Sequence, residues 1–340
     1  MNEPKRLRIL TWQVHGNYLY YLSQAPHDFW LVTRPGHPPG YAGRTASFPW
    51  GPNVHEVAPP QVRAMDFDVV LYQSRVHWDE DRHQLLSPAQ RQLPCIYLEH
   101  EPPQQRPVDQ RHWAEDASLL VHVTSFNALM WDSGSARVRV IEHGVMVPEQ
   151  ARYEGELPCG LVVVNHLRRR GRPLGYDIFE TLRHSVPLTL VGMEADHTPG
   201  GHGEIPNMEL PAFMARYRFC FSPIRWTSLS LALIEAMTVG LPIVGLATTE
   251  LGTVISNGHN GWLETDPQQL LPVMRRLLDD RALAQRWGEA ARSTALARFG
   301  MPRFLRDWND ALSGVCAARE TPDTTPLGPN RPAQLASAAA

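Results

Sequence analysis

The chain has 340 residues, of which 43% are hydrophobic and 20% are charged, and its formal net charge is −3. This composition is typical of a globular enzyme that is long enough for two domains. The weak net charge argues against binding of nucleic acid or of an anionic membrane through overall charge.

The cysteines, histidines and lysines of the sequence argue against several kinds of functional site. The four cysteines form no CxxC pair, which favours free thiols in a reducing cytoplasm. The fifteen histidines form no HExxH motif, so we predict no metal site. Lys5 is the only lysine, which excludes a P-loop and a pyridoxal phosphate enzyme. Any bound phosphate must therefore be held by arginine, histidine, hydroxyl groups and backbone N–H groups.

The first part of the chain alternates apolar runs with weaker helical segments. The runs predict strands at 8–12, 29–33, 67–72, 95–99, 119–124 and 138–141. Because several are almost continuously apolar, they fit a parallel sheet that is covered on both faces. The stretch 36–60 is rich in proline and glycine and predicts a long irregular excursion.

Ligands of such sheets bind beyond the carboxyl ends of the strands. That rule selects the polar residues that directly follow four of the predicted strands. They are His15 and Gly16, then Ser74 and Arg75, then Glu99, His100 and Glu101, then Thr124 and Ser125.

The pattern breaks at 149–160, which predicts a linker after an N-terminal domain of residues 1–148. A second α/β series follows over 161–300, with strands predicted at 161–165, 187–192, 217–222 and 241–246 and a helix at 281–299. We expect the last helix, 301–317, to pack back on the N-terminal domain. Residues 318–340 are rich in proline and alanine and predict a disordered tail.

The most informative stretch runs from 221 to 245 and combines a strand, a polar loop, a helix predicted from about Ser228 to Val239, and a second strand. Its loop opens on a helix N-terminus, whose unpaired N–H groups suit a phosphate. Glu235 lies within the helix and can accept two ribose hydroxyls. The alternative is that the loop hydroxyls are ordinary caps and that Glu235 is a solvated surface residue.

Several segments together resemble the GT-B glycosyltransferases of the retaining family 4, or group 1. They are RILTWQVHGNYLYYL (8–22), RVIEHGVMVPE (139–149), PLTLVG (187–192), IEAMTVGLPIVG (234–245) and NGHNGWL (257–263). The resemblance implies an α/β chain with two Rossmann-like parallel-sheet domains facing each other across a cleft. It also implies transfer of a hexose, without a metal or other cofactor, from a nucleotide-sugar donor to a glycan or lipid-linked acceptor.

The resemblance assigns roles residue by residue. Glu235 matches the second glutamate of the E-x7-E motif, which binds the donor ribose, and the N–H groups of 229–231 would face the diphosphate. The predicted catalytic residues are His100, Arg170 and Glu235. The predicted donor-binding residues are Gly16, His166, Arg168, Thr227, Ser228, Leu229, Ser230, Leu231 and Glu235. The alternatives are a buried structural role for His100 and a solvated arginine run at 168–170.

The chain also departs from the family pattern. Thr227 stands where the family has its first glutamate, Ser228 and Ser230 replace glycines, and the segment from Thr249 to Thr253 departs from GGxxE. The family's first glutamate holds hydroxyls of the donor sugar, and a threonine weakens that contact by about 1–2 kcal/mol. Two alternatives therefore stay open: a non-catalytic GT-B scaffold and a nucleotide-sugar epimerase.

We expect a cytoplasmic protein, because no apolar run has transmembrane length and the N-terminus enters a strand instead of a signal peptide. Peripheral contact with the inner face of the membrane stays open, and we expect no nucleic-acid partner.

Overall fold

The computed structural model describes residues 5–320, which form two parallel β-sheets. The first sheet has the strand order β3-β2-β1-β4-β5-β6-β7, and the second has the order β12-β11-β10-β8-β9. The strands of the first sheet are β1 (Arg8–Thr11), β2 (Asp28–Val32), β3 (Val54–Val57), β4 (Val69–Tyr72), β5 (Cys95–Glu99), β6 (Leu119–His122) and β7 (Val138–Val140). Those of the second are β8 (Leu157–Val163), β9 (Leu188–Val191), β10 (Tyr217–Ser222), β11 (Ile243–Leu246) and β12 (Gly261–Glu264).

Helices connect the strands and cover the faces of both sheets. They are α1 (Gly16–Leu22), α2 (Pro59–Val62), α3 (Arg82–Gln84), α4 (Ser125–Met130), α5 (Leu167–Arg170), α6 (Tyr176–Leu182), α7 (Leu210–Ala215), α8 (Leu231–Val239), α9 (Leu251–Val254), α10 (Leu270–Asp279), α11 (Arg281–Phe299) and α12 (Met301–Glu320). Every residue of β4, β5, β6 and β11 is buried, as the continuous apolar runs predicted. The prediction of two parallel-sheet units is confirmed.

The sequence interpretation missed two edge strands. β3 lies inside the stretch 36–60 that was predicted to be irregular, and it pairs with β2 through Phe29 and Val54. β12 pairs with β11 through Ile243 and Gly261. Both are four-residue strands flanked by glycine, proline or polar residues, so their local composition indicates loops more than strands.

The helix at the centre of the βαβ unit begins later than predicted. α8 starts at Leu231, after an extended Ser230, so residues 223–230 form a loop. It ends at Gly240, whose φ of 109° lies in the left-handed region that favours glycine. The first backbone N–H groups of α8 therefore follow directly on the polar loop.

Helix α12 follows the second sheet in the chain but packs against α1 and β5 of the first. The indole Nε1 of Trp308 donates a hydrogen bond to the hydroxyl of Tyr18 at 3.0 Å, and both side chains are buried. Phe304 contacts Gly144 so closely that a Cβ at that glycine would collide with its ring. Residues 321–340 of the predicted tail lie outside the described residues.

The chain crosses between the two sheets twice. The first crossing is the segment 141–156 between β7 and β8, and the second is at Gly300 between α11 and α12. The N–H of Val145 donates to the carbonyl of Phe299 at 3.2 Å, so the two crossings lie side by side. Within the described part of the chain, no helix is long and apolar enough to span a membrane.

Candidate active site

A cleft of about 590 Å³ lies between the two sheets. It is lined by the loops that follow the carboxyl ends of β1, β5, β8, β9 and β10. Both halves of the fold therefore present their strand ends to one cavity, which is where parallel sheets bind ligands.

The cleft brings together most of the residues that the sequence selected. Those that line it are Gly16, His100, Arg170, Thr227, Ser228, Leu229, Ser230, Leu231 and Glu235. His166 and Arg168 do not line it. A ring nitrogen of His166 lies 3.1 Å from the carboxylate of Glu194, and Arg168 donates to the carbonyl of His197 at 3.2 Å. A four-residue helix points successive arginines in different directions, and of the run 168–170 only Arg170 faces the cleft.

Glu235 is a buried carboxylate with one cross-cleft partner. Its side chain accepts a hydrogen bond at Oε1 from the hydroxyl of Tyr21 at 2.7 Å. Burial raises the pKa of Glu235, and the hydrogen bond from Tyr21 opposes that shift. Among the described residues, none donates a hydrogen bond to the second oxygen, Oε2. Glu235 is thus not a solvated surface residue, and it retains acceptor capacity at the wall of the cleft.

The start of α8 supplies donors beside that carboxylate. The first N–H groups of a helix have no partner within the helix, and its N-terminus carries a partial positive charge. Arg170 adds a guanidinium group. The side chain of Arg170 is 44% exposed, so this group can reach a ligand. Together these groups form an anion site that contains no lysine.

Sequence reasoning undervalued two residues: Glu101, which lines the cleft, and Tyr21, which lies behind its wall and contacts Glu235. Glu101 was selected only as one of the polar residues after β5, and it accepts a hydrogen bond from the hydroxyl of Thr227 at 2.8 Å. Tyr21 belongs to an apolar helical run that carried no signal of a polar role. The one available signal was that Glu101 directly follows His100 at the end of a buried strand.

Three histidines cluster on the N-terminal side of the cleft. The ring centroids of His15 and His100 are 4.3 Å apart, and Tyr18 lies edge-on to both His100 and His143. Burial lowers the pKa of His143 to about 4 and takes the pKa of His100 well below its usual range. The rings of His100 and His143 are therefore neutral at pH 7.

The tautomer of His100 follows from its partner. The amide nitrogen of Gln73 donates to the hydroxyl of Thr11 at 3.1 Å and to the carbonyl of Trp12 at 2.9 Å. The amide oxygen of Gln73 thus faces Nε2 of His100 at 3.1 Å, and Nε2 must carry the proton. Nδ1 is left as an acceptor. His100 is both buried and part of the cleft wall, so the two roles considered for it are compatible.

Comparison with known proteins agrees with this architecture. Three of the solved structures that resemble nearly the whole chain illustrate this. Sucrose-phosphate synthase from Thermosynechococcus elongatus has a TM-score of 0.67 at 15% identity, covering 92% of this chain and 100% of that one. Anabaena HepE in complex with UDP-glucose has a TM-score of 0.63 at 13% identity, with coverages of 91% and 100%. A glycosyltransferase from Rickettsia africae has a TM-score of 0.61 at 12% identity, with coverages of 91% and 98%.

The fold and the cleft therefore define a GT-B protein, as predicted. Residues 201–294 match the family model described as glycosyl transferases group 1, so the predicted resemblance is confirmed on the segment that contains α8. No curated protein matches the chain significantly. The family match and the fold support glycosyl transfer from a nucleotide sugar. In the described part of the chain, no cluster of three or more histidine, cysteine or acidic residues could hold a metal ion.

Proposed function

We propose that the protein is a retaining glycosyltransferase that moves a hexose from a nucleotide-sugar donor to a glycan or lipid-linked acceptor without a metal ion. The observation that carries the proposal is the arrangement of three kinds of group in one cleft. These are the buried carboxylate of Glu235, the N–H groups at the start of α8, and the guanidinium of Arg170. The carboxylate suits the ribose hydroxyls, and the N–H groups and the guanidinium suit the negative diphosphate. The groups follow each other along the cleft in the order of those parts in a nucleotide sugar.

Each group has a defined task in this proposal. Glu235 accepts hydrogen bonds from the ribose hydroxyls, and the N–H groups of 229–231 bind the diphosphate. As the bond to the sugar breaks, negative charge grows on the leaving diphosphate, and Arg170 with the helix N-terminus stabilises that charge. His100 lies on the wall of the cleft that faces α8. Its unprotonated Nδ1 can accept a hydrogen bond from a hydroxyl of the bound substrate.

The first experiment is a thermal-shift panel with UDP, GDP and ADP in the presence of a metal chelator. HepE shares the fold, and its structure has been solved with UDP and with UDP-glucose. UDP is therefore the first ligand to test. We expect one diphosphate to raise the melting temperature without added metal. Absence of a shift with all three would contradict the proposal.

Turnover then separates the alternatives. A transferase releases nucleoside diphosphate only when an acceptor is present, apart from slow hydrolysis. An epimerase changes the sugar with no acceptor and no release, and a scaffold binds the nucleotide without consuming it. We propose that the reaction occurs in the cytoplasm, at the inner face of the membrane where the acceptor is lipid-linked.

Arg170→Ala is expected to weaken binding of the nucleoside diphosphate by about 1.5–3 kcal/mol and to leave nucleoside binding almost unchanged. The reason is that, in the proposed complex, Arg170 contacts the phosphates and not the nucleoside. Calorimetric titration with both ligands measures the difference. Arg168→Ala is the matched control, because the structure turns Arg168 away from the cleft towards His197. Equal losses for diphosphate and nucleoside would place Arg170 away from the phosphates.

Glu235→Gln is expected to weaken nucleotide binding by about 1–3 kcal/mol, since it removes the charge that strengthens two hydrogen bonds to ribose. A 2′,3′-dideoxynucleotide should bind the wild type more weakly by a similar amount. The variant, by contrast, should bind the dideoxynucleotide and the ordinary nucleotide about equally well. The four affinities form a cycle, and its interaction free energy should differ clearly from zero. Additive effects would show that Glu235 does not contact the ribose.

A further inference from the structure

The loop that follows β5 carries a carboxylate across the cleft. Oε2 of Glu101 accepts a hydrogen bond from the hydroxyl of Thr227 at 2.8 Å, and Oε1 lies 3.7 Å from the guanidinium of Arg170. Burial raises the pKa of Glu101, and the hydrogen bonds from Thr227 and from the backbone N–H of Ser228 oppose that rise. A residue of the first sheet thus enters the polar loop of the second sheet, the loop that precedes α8.

The backbone on both sides of this carboxylate is fixed. The N–H of Glu101 donates to the carboxylate of Glu99 at 2.9 Å, and its carbonyl accepts from the indole of Trp131 at 2.8 Å. Two residues on, the carbonyl of Pro103 accepts from the indole of Trp226 at 3.0 Å, which ties the loop to the facing domain. Glu101 is therefore preorganised, so that binding a ligand costs little ordering of its side chain.

The position of Glu101 corresponds to one end of the proposed donor. A nucleotide sugar is linear, with the ribose, the diphosphate and the sugar in that order. If the ribose lies at Glu235 and the diphosphate at the start of α8, the sugar lies on the far side of that helix start, beside Thr227. The loop 223–230 contains no acidic residue of its own. Of the described residues that line the cleft, the carboxylates are Glu101, Glu204 and Glu235, and Glu101 is the one held against Thr227.

We propose that Glu101 accepts hydrogen bonds from hydroxyl groups of the transferred sugar, and that Thr227 orients Glu101 for this contact. The carboxylate that the donor-side loop lacks at Thr227 then comes from the facing domain. This inference rests on the proposed function and deepens it. Because the carboxylate is an acceptor and carries a negative charge, the site selects a neutral sugar with free hydroxyls and disfavours a sugar acid.

The test compares the affinity for a nucleoside diphosphate with the affinity for its nucleotide sugar. UDP and UDP-glucose are the probes, or GDP and GDP-mannose where the thermal-shift panel selects guanine. In Glu101→Gln we expect the nucleotide sugar to bind about 10- to 100-fold more weakly, while the diphosphate changes by less than about threefold. Thr227→Ala should reduce nucleotide-sugar affinity less, by about 3- to 10-fold, because it only frees the carboxylate to move. Glu204→Gln makes the same change elsewhere on the cleft wall and is the matched control. It should leave the affinities for the diphosphate and for the nucleotide sugar unchanged.

A rescue experiment separates sugar binding from a structural role. In the Glu101→Gln background, Thr227→Glu should restore most of the lost nucleotide-sugar affinity, because it returns a carboxylate to the same place from the other side. In the wild type the same substitution should weaken nucleotide-sugar binding, since two carboxylates then face each other.

Equal losses for the diphosphate and the nucleotide sugar in Glu101→Gln would overturn the inference. So would a gain in diphosphate affinity with no selective loss for the sugar, because Glu101 would then compete with the phosphates for Arg170 and Ser228. If the wild type binds no nucleoside diphosphate at all, the proposed function is wrong and this inference falls with it. If the wild type binds and only the sugar-selective loss is missing, the inference alone is wrong.

Discussion

Replacing Trp308 by alanine is expected to lower the free energy of unfolding by about 3–5 kcal/mol. The side chain has 0% exposure, and its truncation leaves a cavity that the surrounding helices cannot fill completely. The substitution also removes the hydrogen bond from Nε1 to the hydroxyl of Tyr18, a group that is itself buried and would lose its partner. Urea denaturation of the purified variant measures the loss.

Ser313→Ala is the control, because Ser313 lies on the exposed side of the same helix, α12. It should change the free energy of unfolding by less than about 0.5 kcal/mol. A loss below about 1 kcal/mol for Trp308→Ala would show that α12 is not docked on α1 and β5 in solution. A large loss would also bear on the active site, since Tyr18 contacts His100 and His143.

Mild acid is expected to destabilise the protein by about 3 kcal/mol or more between pH 7 and pH 5. Burial lowers the pKa of His77 and His143 to about 4 and that of His122 to about 3, and it takes the pKa of His100 well below its usual range. In the unfolded chain these rings bind protons near pH 6.5, whereas in the folded protein they stay neutral. The unfolded state then binds more protons, so the free energy of unfolding falls as the pH drops below about 6.5. Above that pH the stability contributed by the neutral rings is fully present.

The buried carboxylates Asp81 and Glu235 and the partly buried Glu101 act in the opposite sense, because loss of solvent raises the pKa of each. They reduce the net effect without reversing it, since the buried histidines are more numerous. Urea denaturation at pH 7, 6 and 5 measures the slope. His122→Gln should flatten it, whereas replacement of the exposed His259 should leave it unchanged. Equal stability at pH 7 and pH 5 would contradict the assignment of neutral buried rings.

The sequence predicted the interior of the fold better than its edges. Runs such as 69–72 and 119–122 are apolar at every position but one, so a strand buried on both faces follows from composition alone. β3 and β12 lie at sheet edges, where one neighbouring strand and a few apolar contacts suffice. Their four residues include polar ones, and tertiary pairing overrides the local preference for a loop.

For the site, local spacing indicated the loop and helix around Glu235 but could not find its partners. Tyr21 and Glu235 are 214 residues apart in the sequence, and Glu101 and Thr227 are 126 apart. Such pairs meet only because the two domains face each other, and no periodicity encodes that meeting. The run of arginines at 168–170 likewise could not reveal which side chain faces the cleft, because the short helix α5 decides it.

The paired crossings at Val145 and Gly300 have a consequence for the order in which products leave. Because the two connections lie side by side, we expect any relative motion of the domains to be a rotation about an axis through them. Tyr21 lies close to that axis, because its hydroxyl is 3.5 Å from the carbonyl of Met146 in the first crossing. The same hydroxyl donates a hydrogen bond to Glu235. Rotation displaces atoms least near the pivot, so we expect the nucleoside end of the cleft to keep its shape. The sugar end would open by breaking the contacts that Thr227 and Trp226 make with the facing domain. We therefore expect the glycosylated product to depart first and the spent nucleoside diphosphate last. Added at the start of the reaction, that diphosphate should be a competitive inhibitor against the donor in initial-rate measurements.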